Sequence, residues 1–132
     1  MRHTLGMAGA LVAGMSLFVG CASVDVAKTF NDQQLTMPQS KAVAHLNGDC
    51  WGVYLLSIVP LVTGDTSAGG STMVFGQDNC TVDAVTGMVT RKSKELGATH
   101  TVDLVSRRDS TWIAPLLLFW YKDTQVSGNA VN

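Results

Sequence analysis

The feature that most constrains this chain is an apolar segment at its beginning. Arg2 and His3 precede residues 5–19, which read LGMAGALVAGMSLFV and contain no charged side chain. A short basic start, an apolar stretch of this kind and small residues after it are typical of a secretory signal peptide. We therefore expect residues 1–20 to be removed and the remaining chain to fold in an oxidising compartment outside the cytoplasm.

The end of this segment resembles the lipobox of bacterial lipoproteins. It reads Phe18-Val19-Gly20-Cys21, with Phe where Leu is usual. The resemblance implies that Cys21 is the lipid attachment site, and Ala rather than Asp at the next position is typical of sorting to the outer membrane, facing the periplasm. Three other interpretations stay open: a secretory signal cut after Ala22, an uncleaved membrane anchor, and a buried core helix.

Composition excludes one broad class of partner. Only Arg2 of the nine basic residues lies in the segment to be removed, so the ten acidic residues outnumber the basic ones in the rest. A chain without a basic excess has no electrostatic field for nucleic acid, and we predict no nucleic-acid binding. The longest apolar run after the signal, 51–63, is interrupted by Pro60 and is too short to cross a bilayer.

Two cysteines remain if Cys21 carries lipid. They are Cys50 and Cys80, an even number in a compartment where paired thiols persist. We predict a disulfide between them; two buried free thiols are the alternative.

The residues after the lipid site divide into a tether and a domain. Residues 21–40 are polar and have no sustained helical or strand period, which predicts a flexible tether, followed by a globular domain at 41–132. The alternative is that Val24 and Val26 pair with the edge of a sheet.

The hydrophobic pattern of the domain predicts strands on both sides of one helix. The run at 51–62 is apolar almost throughout, which suggests burial on both faces, and Pro60 marks a bulge or an edge. The expected elements are strands at 41–47 and 51–62 separated by the turn signal Asn47-Gly48-Asp49, a loop at 64–71, strands at 100–106 and 112–121 joined by a polar connection at 107–110, and a tail at 125–132 that extends the last strand or frays.

Residues 81–97 carry the clearest helical pattern. Thr81 suits the N-cap, Asp83 the first turn, and Gly97 the left-handed position after the helix. The order β-β-α-β-β predicts an α+β fold, a single two-layer domain in which a mostly antiparallel sheet is covered by one amphipathic helix. We expect the helix to cover an apolar face that includes Trp51, Leu55, Leu117 and Phe119.

The sequence contains no recognisable motif for catalysis or metal binding. The loop GDTSAGGS at 64–71 lacks the lysine of a phosphate-binding loop, since Gly70 stands in its place. His45 and His100 could join Asp49 or Asp103 at a metal, yet their spacing matches no metal motif. We therefore predict no catalytic residue, no metal ligand and no cofactor.

Three blocks of the sequence resemble small, uncharacterised bacterial lipoproteins of the outer membrane: 51–65, 88–107 and 116–131. The resemblance implies a fold and a location but no activity. We expect a non-catalytic envelope protein, structural or protein-binding, that is attached to the membrane through Cys21 and exposes an apolar patch involving Trp112 or Tyr121. The alternatives are a small-ligand or metal carrier, with a pocket beneath the helix or a site joining both histidines, and an enzyme without a recognisable motif.

Overall fold

The computed structural model describes residues 22–30, 33–34, 40–67, 72–114 and 116–132, which form a sheet with one helix packed on it. All pairings between the described strands are antiparallel. The elements in chain order are β1 (Ala22–Ala27), β2 (Thr29–Phe30), β3 (Gln33–Gln34), β4 (Ala42–Leu55), β5 (Val59–Gly64), β6 (Met73–Phe75), α1 (Val82–Glu95), β7 (His100–Trp112) and β8 (Phe119–Val131).

This architecture confirms a mostly antiparallel α+β domain, but the predicted order β-β-α-β-β is too simple. Six strands share the main sheet, in the order β6-β5-β4-β8-β7 with β1 also paired to β4. β8 pairs along one side of β4. The other side is divided, since β1 pairs with residues 45–50 and β5 with residues 52–55.

The predicted turn at Asn47-Gly48-Asp49 is wrong, because β4 runs straight through it as one strand of 14 residues. Gly48 is required there for packing. A Cβ atom at this position would overlap Cγ2 of Val89 and lie 3.2 Å from Cγ1 of Val85, both on α1. The glycine therefore lets the helix approach the sheet closely, a role that a turn signal in the sequence does not distinguish.

The helix begins and ends where its sequence predicts. Thr81 is the N-cap and its Oγ1 accepts a hydrogen bond from the Ala84 N–H at 3.2 Å, while Gly97 has φ +83°. The helix is anchored by one buried face, which packs on β4 and β8. This core contains Ala22, Ala44, Leu46, Cys50, Cys80, Val85, Met88, Val89, Val126 and Ala130.

Residues 77–80, which lead into α1, are held to the sheet by hydroxyl groups from three strands. Each of these side chains is fully buried. Tyr54 Oη donates to Asp78 Oδ1 at 2.5 Å, Thr63 Oγ1 to the Gln77 carbonyl at 2.8 Å, and Thr124 Oγ1 to the Cys80 carbonyl at 2.6 Å. Because each of these buried hydroxyl groups has a partner, this segment covers the sheet beyond the helix without leaving a described buried side-chain polar atom unsatisfied.

The predicted disulfide is present in this segment. Cys50 on β4 and Cys80 before the helix are bonded, with their Cα atoms 5.2 Å apart. Both residues are fully buried, so the bridge ties the start of α1 to the central strand inside the core.

The prediction of a flexible tether over 21–40 is wrong for its first part, and the sheet-edge alternative describes it. Ala22–Ala27 form β1, and Ala22 is buried in the core beside Cys50. The short polar and small side chains of β1 gave no clear strand period because the strand is supported mainly by its pairing with β4. Residue 21, residues 31–32 and residues 35–39 lie outside the described part of the chain.

Two further expectations about strands are wrong. The run at 51–62 is not one strand, since the chain turns at Leu56 and Ser57 and returns as β5. The pairing of β4 with β5 shifts register between Val53 and Tyr54, opposite Pro60, where the sequence predicted a bulge or an edge. The polar residues 107–110 lie within β7 rather than in a connection, and the chain turns at 113–118 instead. The tail at 125–132 extends the last strand and supplies buried residues to the core.

The helix also covers a different set of side chains from the one expected. Side chains at even positions of β4 from 44 to 54 face the core, so Trp51 and Leu55 lie on the opposite face of the sheet, which we call the open face. Phe119 pairs with Leu55, and Leu117 lies in the β7–β8 loop with 75% of its surface exposed.

Candidate functional site

Six of the twelve exposed large apolar residues of the described chain lie where two hairpins end side by side. The β4–β5 turn and the β7–β8 loop are joined by a hydrogen bond from the Leu56 N–H to the Leu118 carbonyl, at 2.7 Å. We call the exposed apolar residues of these two ends the apolar tip: Leu56, Ile58, Val59, Leu116, Leu117 and Leu118.

The side chains of the apolar tip are directed into solvent to an unusual degree. Ile58 is 80% exposed and Leu56 56% exposed, and Val59 and the three leucines of the β7–β8 loop are about half exposed or more. Single exposed apolar residues are normal on a protein surface, but a contiguous group of this kind marks a contact surface.

The turn at the apolar tip has residues that its backbone disfavours. Leu56 and Ser57 have φ of +52° and +62°, and the Ile58 N–H donates to the Leu55 carbonyl at 3.1 Å. Two positive φ values in a two-residue turn normally select Asn and Gly, because a Cβ atom is crowded there. An exposed leucine at such a position has a conformational cost without a packing benefit inside the chain.

Aromatic side chains form a collar behind the apolar tip. We define the aromatic collar as Trp51, Trp112, Trp120 and Tyr121, which lie on three neighbouring strands. The Trp51 and Tyr121 rings are stacked at a tilt with centroids 5.6 Å apart, Trp112 pairs with Trp120 across β7 and β8, and the Trp112 Nε1–H donates to the Leu117 carbonyl at 3.4 Å.

The predicted contact residues thus lie in the collar rather than at the centre of the surface. Trp112 is 44% exposed and Tyr121 is half-buried. Sequence reasoning missed Leu56, Ile58 and the leucines at 116–118, because apolar runs of this kind usually form strands buried in the protein. The signal that could have identified them is that these runs are apolar almost throughout, which requires a cover on both faces.

Beyond the collar the open face becomes polar, and two carboxyl groups meet there. Burial raises the pKa of Asp49 to about 6, assisted by a hydrogen bond with the Asp123 carboxyl and by its negative charge, while a hydrogen bond with Gln125 opposes the shift. The same two carboxylates add to the effect of burial in raising the pKa of the Tyr121 hydroxyl. The pair therefore takes up a proton at mildly acidic pH.

The two histidines do not form a joint site. His45 Nδ1 is hydrogen-bonded to Asn129 Oδ1 at 2.8 Å, and His100 Nδ1 to its neighbour Thr99 at 2.8 Å. Asp49 is engaged with Asp123, and Asp103 accepts from Asn129 Nδ2 at 3.2 Å. Among the described residues, no group of three or more His, Cys, Asp or Glu side chains could hold a metal ion.

A pocket of about 550 Å³ lies at the end of α1. It is open to solvent, and Ser93, Lys94, Thr99 and His100 contribute to its walls. It lies beside the C-terminal turn rather than beneath the helix, where a small-ligand carrier was expected to have its pocket.

Comparison with known proteins gives no relative. No protein-family model matches the chain, and neither a curated protein nor a solved structure resembles it significantly. Cys21, the predicted lipid attachment site, lies outside the described residues. None of the helices described is long and apolar enough to span a bilayer.

Proposed function

We propose that this protein is a lipid-anchored component of the bacterial cell envelope with a non-catalytic, structural or interaction role. In this proposal residues 1–20 are a signal peptide, and Cys21 carries the lipid in the outer membrane, facing the periplasm. The observation that carries the role is the apolar tip, because a surface of this kind exposed on a disulfide-bonded domain indicates contact with another component.

The disulfide supports the proposed location. A buried bridge between the central strand and the start of the helix suits an oxidising compartment such as the periplasm. It agrees with the signal-like beginning of the chain, although the two features are independent of each other in the sequence.

The arrangement of polar groups supports a non-catalytic role. Asp78 accepts a hydrogen bond from the Tyr54 hydroxyl and pairs with Arg108, and Asp49 shares the open face with Asp123. The first pair fixes the segment before the helix. The second pair has neither a nucleophile nor a histidine among the groups that shift its pKa.

Intact-mass measurement of the protein extracted from membranes tests the proposal. We expect a chain beginning at Cys21 with the added mass of a diacylglycerol and an acyl group, and no processing of a Cys21→Ser variant. A Cys50→Ala, Cys80→Ala variant is the matched control, since it also removes sulfur but should keep the lipid. A mature chain beginning at Ser23 without lipid mass would contradict the anchor.

A further inference from the structure

We propose that the apolar tip inserts into the membrane leaflet that holds the lipid of Cys21, to about the depth of its hydrocarbon layer. The inference rests on the proposed function for that lipid and deepens it by assigning bilayer lipid as the partner of the tip. Five features of the described chain support it: charge, length, the position of Ala22, the order of side-chain types, and the backbone hydrogen bonds at the tip.

The strand segments that end in the tip have no charged residue of their own. Residues 50–64 and 111–121 contain no Asp, Glu, Lys, Arg or His. The nearest charged side chains along the strands are Asp49, Asp65, Asp109 and Lys122. One charged group nevertheless reaches these segments: Lys122 pairs with Gly52, and its Nζ donates to the Ser57 carbonyl at 2.6 Å and lies over the Tyr54 ring, so insertion carries this paired ammonium group with the tip. A protein-binding surface usually has a polar rim close to its apolar centre, whereas a contact with lipid disfavours unpaired charge over its full depth.

The length of the uncharged part matches one leaflet. From Trp51 to Leu55, its last residue, β4 advances by about 13 Å at about 3.3–3.4 Å per residue, and the turn lies beyond it. The hydrocarbon layer of one leaflet is about 15 Å thick, half of the bilayer core. When the tip is fully inserted, Asp49 and Asp123 thus stay at the level of the headgroups and water.

Ala22, the first residue of β1, lies at the same level of the sheet as the first uncharged residues of β4. Ala22 pairs with Cys50, and β1 runs from there away from the tip. Because consecutive Cα atoms are about 3.8 Å apart, a lipid on Cys21 is attached next to this level. Ala22 is buried, so β1 is held against the sheet up to its first residue. The lipid anchor and the apolar tip can therefore enter the same leaflet.

The order of side chains along the hairpins is that of a membrane interface. The aliphatic residues of the tip come first, the aromatic collar follows, and the polar open face with Asp49 and Asp123 comes last. Trp and Tyr are enriched at the level of the headgroups, where a ring can contact apolar and polar surroundings together.

The backbone at the tip is largely prepared for an apolar medium, in which unpaired N–H and carbonyl groups are costly. At the outer edge of β5, Pro60 has no N–H group, and the Leu61 carbonyl accepts from the Gly76 N–H at 3.3 Å. In the β7–β8 loop, the Ile113 N–H donates to the Phe119 carbonyl and the Phe119 N–H to the Leu116 carbonyl, both at 3.0 Å.

The test measures tryptophan fluorescence of the full chain in vesicles of phosphatidylethanolamine and phosphatidylglycerol. A Trp51→Phe, Trp120→Phe variant leaves Trp112 as the one emitting tryptophan among the three of the sequence. Lipids brominated near the carbonyl end of their acyl chains should quench Trp112 more than lipids brominated near the methyl end, because Trp112 lies in the collar rather than at the tip.

Variants of the tip and of a remote apolar position make the result specific. Ile58→Asp in the same background should abolish the quenching. Losing one isoleucine side chain that the bilayer would bury already shifts the insertion equilibrium by about tenfold or more. Val105→Asp is the matched control, because Val105 is 65% exposed on β7, away from the tip, and should retain it. Leu117→Asn provides an independent second variant. The exposure of Ile58 and Leu117 means that neither is needed for the fold, which circular dichroism would verify.

Two outcomes overturn the inference. In the first, bromolipids do not quench the fluorescence of Trp112. In the second, the Ile58→Asp variant is folded and its Trp112 is quenched as strongly as before. The intact mass of the same samples separates this from the proposed function. Quenching in a chain that carries no lipid on Cys21 would support the tip and contradict the anchor, whereas a lipid-modified chain without quenching would support the anchor and contradict the tip.

Discussion

The two ends of the same sheet differ in how their apolar side chains are covered. In the helix-covered end, β4 alternates strictly, with Ala44, Leu46 and Gly48 under α1 and more polar residues on the open face. At the apolar tip, the continuations of the same strands are apolar on both faces, and no described part of the chain covers Ile58 or Leu117. A two-sided apolar pattern requires a cover on both sides, and the comparison indicates that at the tip the described part of the chain does not supply it.

The disulfide gives the largest expected effect on the helix-covered end. A Cys50→Ala variant should lose about 3–4 kcal/mol of unfolding free energy, because the bridge closes a loop of about 30 residues in the unfolded chain. Urea denaturation of the wild type with and without reductant would measure the same difference. A double Cys50→Ala, Cys80→Ala variant should be no less stable than the single one; a much smaller loss would mean that the bridge does not constrain the fold.

Gly48→Ala tests the close approach of the helix to β4. The added Cβ atom overlaps Val89, so the helix must shift, and we expect a loss of about 1–3 kcal/mol. Gly87→Ala is the matched control, because a Cβ atom at Gly87 on α1 meets nothing within 4 Å and alanine favours the helix. Thermal unfolding of both variants would decide, and equal melting temperatures would contradict the packing role of Gly48.

At the tip, we expect a substitution to raise the free energy of unfolding rather than lower it. Replacing the turn by Leu56→Asn and Ser57→Gly should stabilise the isolated chain by about 1–2 kcal/mol, because both residues tolerate positive φ. The same change should weaken bilayer insertion, since it removes one apolar side chain. Urea denaturation measures the first effect and bromolipid quenching the second. A turn variant that is less stable than the wild type would show that Leu56 packs within the chain.

The smallest expected effect concerns the carboxyl pair between the two ends. Because the folded pKa of Asp49, about 6, is above the ordinary value of 3.8, the folded chain binds more protons than the unfolded one between these values. The contribution of Asp49 to stability is therefore present at low pH and is lost as pH rises through about 6.

Asp49→Asn should remove this dependence and stabilise the chain at pH 7 by about 1 kcal/mol or less, as Asp49 is partly solvated. The measurement is the difference in urea midpoint between variant and wild type at pH 5 and pH 7. A difference that is larger at pH 5 than at pH 7 would contradict the sign.

Local signals predicted the parts of the fold that local interactions determine. Thr81 and Gly97 identified both ends of α1, and an even number of cysteines identified the bridge. Gly48 was misassigned to a turn because a glycine that admits a helix and one that permits a turn look alike in sequence. The turn at Leu56 and Ser57 has none of the residues that normally announce it.

The candidate site was predicted less well than the fold. The strand predicted at 100–106 is shorter than β7, because residues 103–112 are exposed on both faces and their sequence pattern is that of a loop. The leucines at 116–118 predicted a buried strand. They lie instead in an exposed loop, so the described chain does not provide the apolar surroundings that the pattern requires. Trp112 was the one predicted contact residue that lies at the border of the tip.

Photo-crosslinking in intact cells tests the central claim, that lipid covers the tip, most directly. A photoreactive amino acid would replace Ile58 in one variant and Val105 in a second, and mass spectrometry would identify the adducts. The account predicts phospholipid adducts at position 58 and none at position 105. Adducts of position 58 with a protein or with a second copy of the chain, or equal lipid labelling at both positions, would contradict it.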